Sequence, residues 1–220
     1  MADNHPHEDT TSMYTIYTSP GSGGFAAEAM LEAGTSPWRR QTISTANQQH
    51  RTAEYLQVNP AGQVPALQLP GGEVMTESAA ICIYLGDAHP ETGLAPSTAN
   101  PARAPYLRWL LYMSSTVYPA DLRIYYADRY TSDPAGVDAV KTCALEEMNA
   151  SFALIDKALS GRRWLAGGTM TAADIYLLMM ACWHPEEGHI ASHCHNVHAL
   201  CNRVKQDEYV KRANDFHKLW

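Results

Sequence analysis

From Met13 to Thr18 the chain reads MYTIYT, aromatic and β-branched, the composition of a strand. Ser19-Pro20-Gly21-Ser22-Gly23-Gly24 is a tight glycine-rich turn, and Phe25 to Glu32 (FAAEAMLE) is a helical run stopped by Gly34, with Pro37 close behind. A short strand is expected around Arg40 to Ile43, then a helical turn from Glu54 to Val58 that ends before Asn59-Pro60. Gln63 to Leu69 (QVPALQL) is a strand with a proline near its start, where a central ladder would normally reject it. Pro70-Gly71-Gly72 turns the chain back into Glu73-Val74-Met75. Thr76-Glu77-Ser78 then caps a helix, Ala79 to Leu85, with acidic and hydroxyl groups at its N-terminus. The predicted order is β-α-β-α-β-β-α.

After this the pattern changes. Residues 89–104 (HPETGLAPSTANPARA) carry little apolar periodicity and are predicted to be an interdomain linker. Everything beyond them is helical. Val140, Ala144, Leu145, Met148, Phe152, Ile155 and Leu159 form one apolar stripe at helical spacing. Thr171-Ala172-Ala173-Asp174 has the form of a capping box with Asp in place of Glu, flanked by Met170 and Ile175 as a hydrophobic staple. The helix that follows, Ile175 to Cys182, is almost continuously apolar and should be the buried centre of the second domain. The expected organisation is a disordered polar tail at 1–12, an α/β domain at 13–88, the linker at 89–104 and an all-α domain at 105–220.

Composition narrows the partners. A formal charge of −7 argues against nucleic acid, whose phosphates need concentrated Lys and Arg. The 5 cysteines are odd in number and scattered, with no C-x-x-C, which suits a reducing compartment. No apolar run approaches the ~18–20 residues of a membrane span, and the first dozen residues lack the apolar core of a signal peptide. The expectation is a cytoplasmic protein with no membrane partner.

Three separated segments carry a resemblance. Asn59-Pro60-Ala61-Gly62-Gln63-Val64-Pro65-Ala66-Leu67 and Thr76-Glu77-Ser78-Ala79-Ala80-Ile81 resemble the glutathione-binding half of cytosolic glutathione transferases, and Thr171 to Asp174 resembles that family's second-domain capping box. His195-Asn196-Val197 through Val204 is similar to its penultimate helix. The resemblance implies a thioredoxin-like domain followed by an all-helical one, glutathione as co-substrate, and usually a homodimer. It implies a cis Val64-Pro65 bond exposing the Val64 backbone to the cysteinyl part of glutathione. It also implies that Ser78 binds the γ-glutamyl carboxylate at a helix N-terminus and that Glu77 lies near the ammonium group. Gln63, Val64, Pro65, Glu77, Ser78 and Gly23 are therefore the expected glutathione contacts.

A glutathione thiol has a pKa of ~8.5, so the enzyme must favour its anion. The donor belongs in the loop Ser19 to Gly24. That loop looks similar to the bacterial beta-class pattern P-G-A-C-S, with the family cysteine falling on Gly23 and the following serine on Gly24, so both side chains are missing. Ser22 is the first candidate for thiolate stabiliser, Ser19 the second, and Tyr17 could face the site from the end of the first strand. By resemblance the electrophile pocket draws on Phe25, Trp109, Tyr112, Met113, Thr116, Tyr118 and Tyr125. Tyr118 falls where beta-class enzymes carry a histidine. An apolar, including aromatic, electrophile is expected.

Other readings compete. Gly21-x-Gly23-x-x-Ala26 matches a dinucleotide-binding fingerprint in form, but the second strand ends in Ile43-Ser44-Thr45-Ala46-Asn47 without the acid that would hold a ribose. The missing loop cysteine also fits a non-catalytic glutathione-binding module, and a glutathione-dependent isomerase is a further alternative. His184, His189, His193, Cys194, His195, His198 and Cys201 are dense in potential ligands, yet they sit in an ordinary amphipathic pattern, and no metal is expected.

Overall fold

Ile16 and Leu67, both fully buried, face one another across neighbouring strands at the centre of the first domain in the computed structural model, which describes residues 13–220. The expected tail at 1–12 lies outside the described residues. Strand β1 (Tyr14–Thr18) pairs in parallel with β2 (Trp38–Thr42) and antiparallel with β3 (Ala66–Gln68), which pairs antiparallel with β4 (Val74–Met75). The result is a 4-stranded mixed sheet in the order β2-β1-β3-β4. Helices α1 (Phe25–Ala33), α2 (Ala53–Val58) and α3 (Ser78–Ala88) complete a thioredoxin-like domain in the order the pattern predicts. The antiparallel β1–β3 and β3–β4 pairs exclude a doubly wound sheet, and with it the dinucleotide-binding reading.

The second domain is helical. Helix α4 (Arg103–Tyr112) runs through a π-helical stretch, Met113–Val117, into α5 (Tyr118–Tyr125); α6 (Val137–Ala158), α7 (Ala172–Cys182), α8 (His189–His193), α9 (His195–Val204) and α10 (Glu208–His217) follow. Ala144, Met148, Phe152 and Ile155 of the predicted stripe are buried, whereas Val140 and Leu145 stay partly exposed. Every residue of α7 from Ala172 to Met180 is buried. Its capping box forms: the Asp174 carboxylate accepts from the Thr171 N–H (2.8 Å), the Thr171 hydroxyl (3.0 Å) and the Leu165 N–H (2.8 Å). Asp156 of α6 caps α9 by accepting the Asn196 and Val197 N–H groups at 2.7 and 2.9 Å.

Helix α10 returns to the first domain. The fully buried Glu28 carboxylate on α1 accepts from Arg40 at 2.8 and 2.6 Å and from His217 Nε2 at 3.0 Å. Phe25 packs edge-on against both His217 and Trp220. One apolar core runs from Ile16 and Phe25 through Ile81 to Trp109 and Leu177, so the domains share an interior. No helix among the described residues is long and apolar enough to cross a membrane.

Candidate functional site

A cleft of about 790 Å³ opens between the domains, lined by the turn before α1, by residues 59–65, by the start of α3 and by one face of α5. Each wall has a local cause. Asn59 ends α2 and turns the chain: its Oδ1 accepts the Ala61 N–H (3.1 Å) while its Nδ2 donates to the Gln63 carbonyl (2.8 Å). The Tyr55 hydroxyl donates to the same carbonyl at 2.6 Å, and burial pushes its pKa up to about 12, so it stays a donor. Between these anchors Gly62 has φ +60°, and a Cβ there would come within 2.9 Å of the His50 carbonyl oxygen. Only glycine fits. The segment thus delivers Val64 to the cleft with a cis bond to Pro65, and among the described residues no hydrogen bond engages the Val64 backbone.

The α3 N-terminus forms the second wall. Glu77, its N-cap, sits at φ 67°, ψ 103°, a costly region for a residue with a Cβ. That conformation turns Ser78 inward, where its Oγ lies 2.8 Å from the Tyr176 hydroxyl of α7. Burial above all raises the Tyr176 pKa, so this hydroxyl keeps its proton and can donate it to Ser78, leaving the serine's own hydrogen for the cleft. Tyr176 is a site residue that the apolar run Ile175 to Cys182 conceals.

In the turn before α1, Ser22 Oγ accepts from the Ser19 and Gly24 N–H groups (3.3 and 3.4 Å) and lies 3.1 Å from Thr18 Oγ1. Ser22 lines the cleft, but its lone pairs already hold the loop. Gly23 packs between Tyr118 and Pro65: a Cβ on it would stand 2.8 Å from the Tyr118 hydroxyl and 3.5 Å from Pro65 Cδ. A Cβ on Gly24 would meet Thr18 Oγ1 at 2.1 Å. The two positions without side chains are therefore filled by neighbours. Burial first, then the charge of Asp121, raises the Tyr118 pKa, and its hydroxyl stays neutral.

Ser114, Tyr118, Asp121, Leu122 and Tyr125 recur at helical spacing and face the cleft, with Trp183 stacked at a tilt on Tyr118 (5.1 Å). The structure places several expected residues elsewhere. Phe25, Trp109 and Met113 are buried in the shared core, because the stripe Tyr106, Trp109, Leu110, Met113, Val117, Ala120 is the packing face of α4 and α5. The Tyr112 hydroxyl donates to Ser151 (3.1 Å), and Thr116 is likewise off the cleft wall. Ser19 is buried beside Thr45, with the two hydroxyls 3.3 Å apart. Tyr17 turns its hydroxyl to Gln68 of β3 (3.3 Å). The first strand thus supplies no group to the cleft wall. Of the residues expected there, Ser22, Gln63, Val64, Pro65, Glu77, Ser78, Tyr118 and Tyr125 are brought together, with Gly23 adjoining them.

The histidine-rich segment is a separate feature. His184, Glu186 and His189 bring ligand-capable atoms within 4.8 Å of one another, with His184 and His189 stacked at 4.3 Å. His184 Nε2 pairs with Asn149 Oδ1 at 2.8 Å, while Cys194 and Cys201 are buried in the core. None of the three clustered residues lines the cleft.

Comparison with known proteins matches both halves. Residues 27–88 match the family described as glutathione S-transferase, N-terminal domain, and residues 116–208 match glutathione S-transferase, C-terminal domain. Glutathione S-transferase GST-4.5 of Xanthomonas campestris pv. campestris is 29% identical over 198 residues, covering 90% of this chain and 96% of its own. The solved structure of a glutathione S-transferase from Xylella fastidiosa is 30% identical, with a TM-score of 0.84, over 94% of this chain and 100% of that one. A sphingomonad glutathione S-transferase complexed with glutathione is 29% identical, with a TM-score of 0.80 and the same coverage.

Proposed function

The chain belongs to the glutathione S-transferase family, and on that premise we propose that the cleft holds glutathione with its sulfur beneath the Tyr118 hydroxyl. The Val64 backbone pairs with the cysteinyl unit. The free N–H groups at the start of α3, with the Ser78 hydroxyl, take the γ-glutamyl carboxylate. Glu77, exposed on the rim, faces the ammonium group. These contacts put the sulfur against Gly23 and Pro65 at the start of α1, where a helix N-terminus and a neutral tyrosine hydroxyl favour an anion.

The observation that carries this reading is the convergence of Gly23, Pro65 and Tyr118 from three separate elements. It revises the order of candidates: Tyr118 rather than Ser22 is the side-chain donor to the thiolate, and Ser22 shapes the loop. The thiolate then attacks an apolar electrophile lying against Leu122, Tyr125, Tyr126 and Trp183 in the outer half of the cleft.

Calorimetric titration with reduced glutathione tests the binding half. The wild type should bind, and Ser78→Ala should weaken binding by about 1.5–3 kcal/mol, the range for a hydrogen bond to a charged group. Absence of heat at millimolar glutathione, or an unaltered Kd in Ser78→Ala, would overturn the assignment.

A further inference from the structure

His184 and Glu186 lie in the turn between α7 and α8, and His189 is the first residue of α8. Gly188 takes φ +78°, a conformation glycine adopts freely, and the turn folds the His189 ring onto that of His184, 4.3 Å away and 16° from parallel. His189 Nδ1 stands 2.9 Å from Glu186 Oε2. Spacing along the chain does not show what lies behind this group. His184 is buried, edge-on to Phe152 of α6 (5.6 Å), and its Nε2 lies 2.8 Å from Asn149 Oδ1 of the same helix. An amide oxygen only accepts, so Nε2 carries the proton and Nδ1 the lone pair. The Glu186 N–H donates to that lone pair at 3.3 Å, a long bond that a cation can displace.

We propose that His184 Nδ1, the Glu186 carboxylate and His189 Nδ1 hold a zinc ion, with water completing the tetrahedron. This reverses the expectation drawn from spacing alone, and it stands apart from the glutathione reading, since none of the three residues lines the cleft. Two imidazoles and a carboxylate are a zinc donor set, and bonds of about 2.0–2.1 Å put tetrahedral ligands about 3.3 Å apart. The His189–Glu186 pair is already near that separation, and all three ligand atoms fall within 4.8 Å. Rotation of the exposed carboxylate and the partly buried His189 ring closes the set. The ion takes the place of the hydrogen between Nδ1 and Oε2, and the neutral His189 ring carries its proton on Nε2 instead. Asn149 fixes the tautomer and orientation of His184, as an oxygen acceptor does for most zinc-bound imidazoles. His193 also stacks on His189 (4.5 Å) but lies outside the clustered atoms. Trp183, next to His184, stacks on Tyr118, and its carbonyl accepts from the Tyr125 hydroxyl. An ion at this turn therefore fastens one rim of the cleft from behind.

Isothermal titration of the untagged, EDTA-dialysed full chain with zinc chloride tests the assignment. The wild type should take up a single tight equivalent. His184→Ala, Glu186→Gln and His189→Ala should each weaken it by roughly tenfold or more, and Asn149→Leu, which touches no metal, by about 10–100-fold. His193→Ala should leave it unchanged. Glu186 is exposed, so its variant remains a fair test should the buried His184 variant fail to fold. Absence of a tight equivalent in the wild type, or an unaltered Kd in Glu186→Gln and His189→Ala, overturns the site. Loss of binding in His193→Ala with none in Glu186→Gln or Asn149→Leu would reveal an adventitious chelate on the face of α8, and overturns it as well.

Discussion

A methyl group on Gly23 would come within 2.8 Å of the Tyr118 hydroxyl, so these two residues have to be understood as a pair. Tyr118→Phe should lower kcat/KM by about ten- to a hundredfold, the loss of one hydrogen bond to a charged acceptor. The pKa of bound glutathione, followed by ultraviolet thiolate absorbance, should rise with it; an unshifted thiol would refute the donor role. Gly23→Ala should cost less in a Tyr118→Phe background than in the wild type, because the clash is with the hydroxyl. A purely additive double-mutant cycle would contradict this coupling. Asp121 has a consequence for stability too. Burial raises it from 3.8 to about 7, so over that span the folded state keeps a proton that the unfolded chain has released. The stability it contributes is whole in acid and is lost as pH climbs to neutrality, by up to about 4 kcal/mol. Asp121→Asn should therefore gain on the wild type between about pH 5 and about pH 8 in urea midpoints, and a gap independent of pH would disprove the shift.

Among the elements, those bounded by strong punctuation were legible in the amino-acid pattern. Asn59-Pro60, Pro70-Gly71-Gly72 and the Gly21 to Gly24 turn set the ends of α2, β3, β4 and α1, and the Thr171–Asp174 box set the start of α7. The cleft face of α5 was legible only in part: Tyr118 and Tyr125 were expected there and line the cleft, whereas Asp121 and Leu122 were not expected. Trp109, Tyr112 and Met113 have the aromatic and apolar character of a pocket wall, yet the same character suits the core that buries Trp109 and Met113, and composition cannot separate the two. The cleft face instead includes Ser114 and Asp121, whose polar side chains gave no periodic signal. Tyr176 was hidden for the opposite reason, one hydroxyl inside an apolar run. Tyr176→Phe should leave the fold intact and raise the Kd for glutathione by roughly 0.5–1.5 kcal/mol, since it removes only the bond that orients Ser78. A larger loss accompanied by unfolding would show that the hydroxyl serves packing instead. Asp174→Ala strips three donors of their shared acceptor and should cost about 3 kcal/mol or more in chemical denaturation.

Across the whole molecule, α10 ties the second domain to the first through Glu28, Arg40 and His217. Removing one member of a buried charged cluster costs about 3–5 kcal/mol, so Glu28→Ala should melt roughly 6–20 °C below the wild type. Separate melting of the two domains in that variant would show that the cluster couples them, whereas an unchanged melting temperature would show that it does not. The cluster also imposes an order of events during synthesis. A ribosome emits Glu28 long before its histidine partner, which lies 189 positions further along. Through that interval the nascent first domain carries the Glu28 carboxylate without its His217 partner, and α1, whose opening turn lines the cleft, lacks the packing of His217 and Trp220 on Phe25. Completion of this wall of the cleft is thereby deferred to the late arrival of a distant helix.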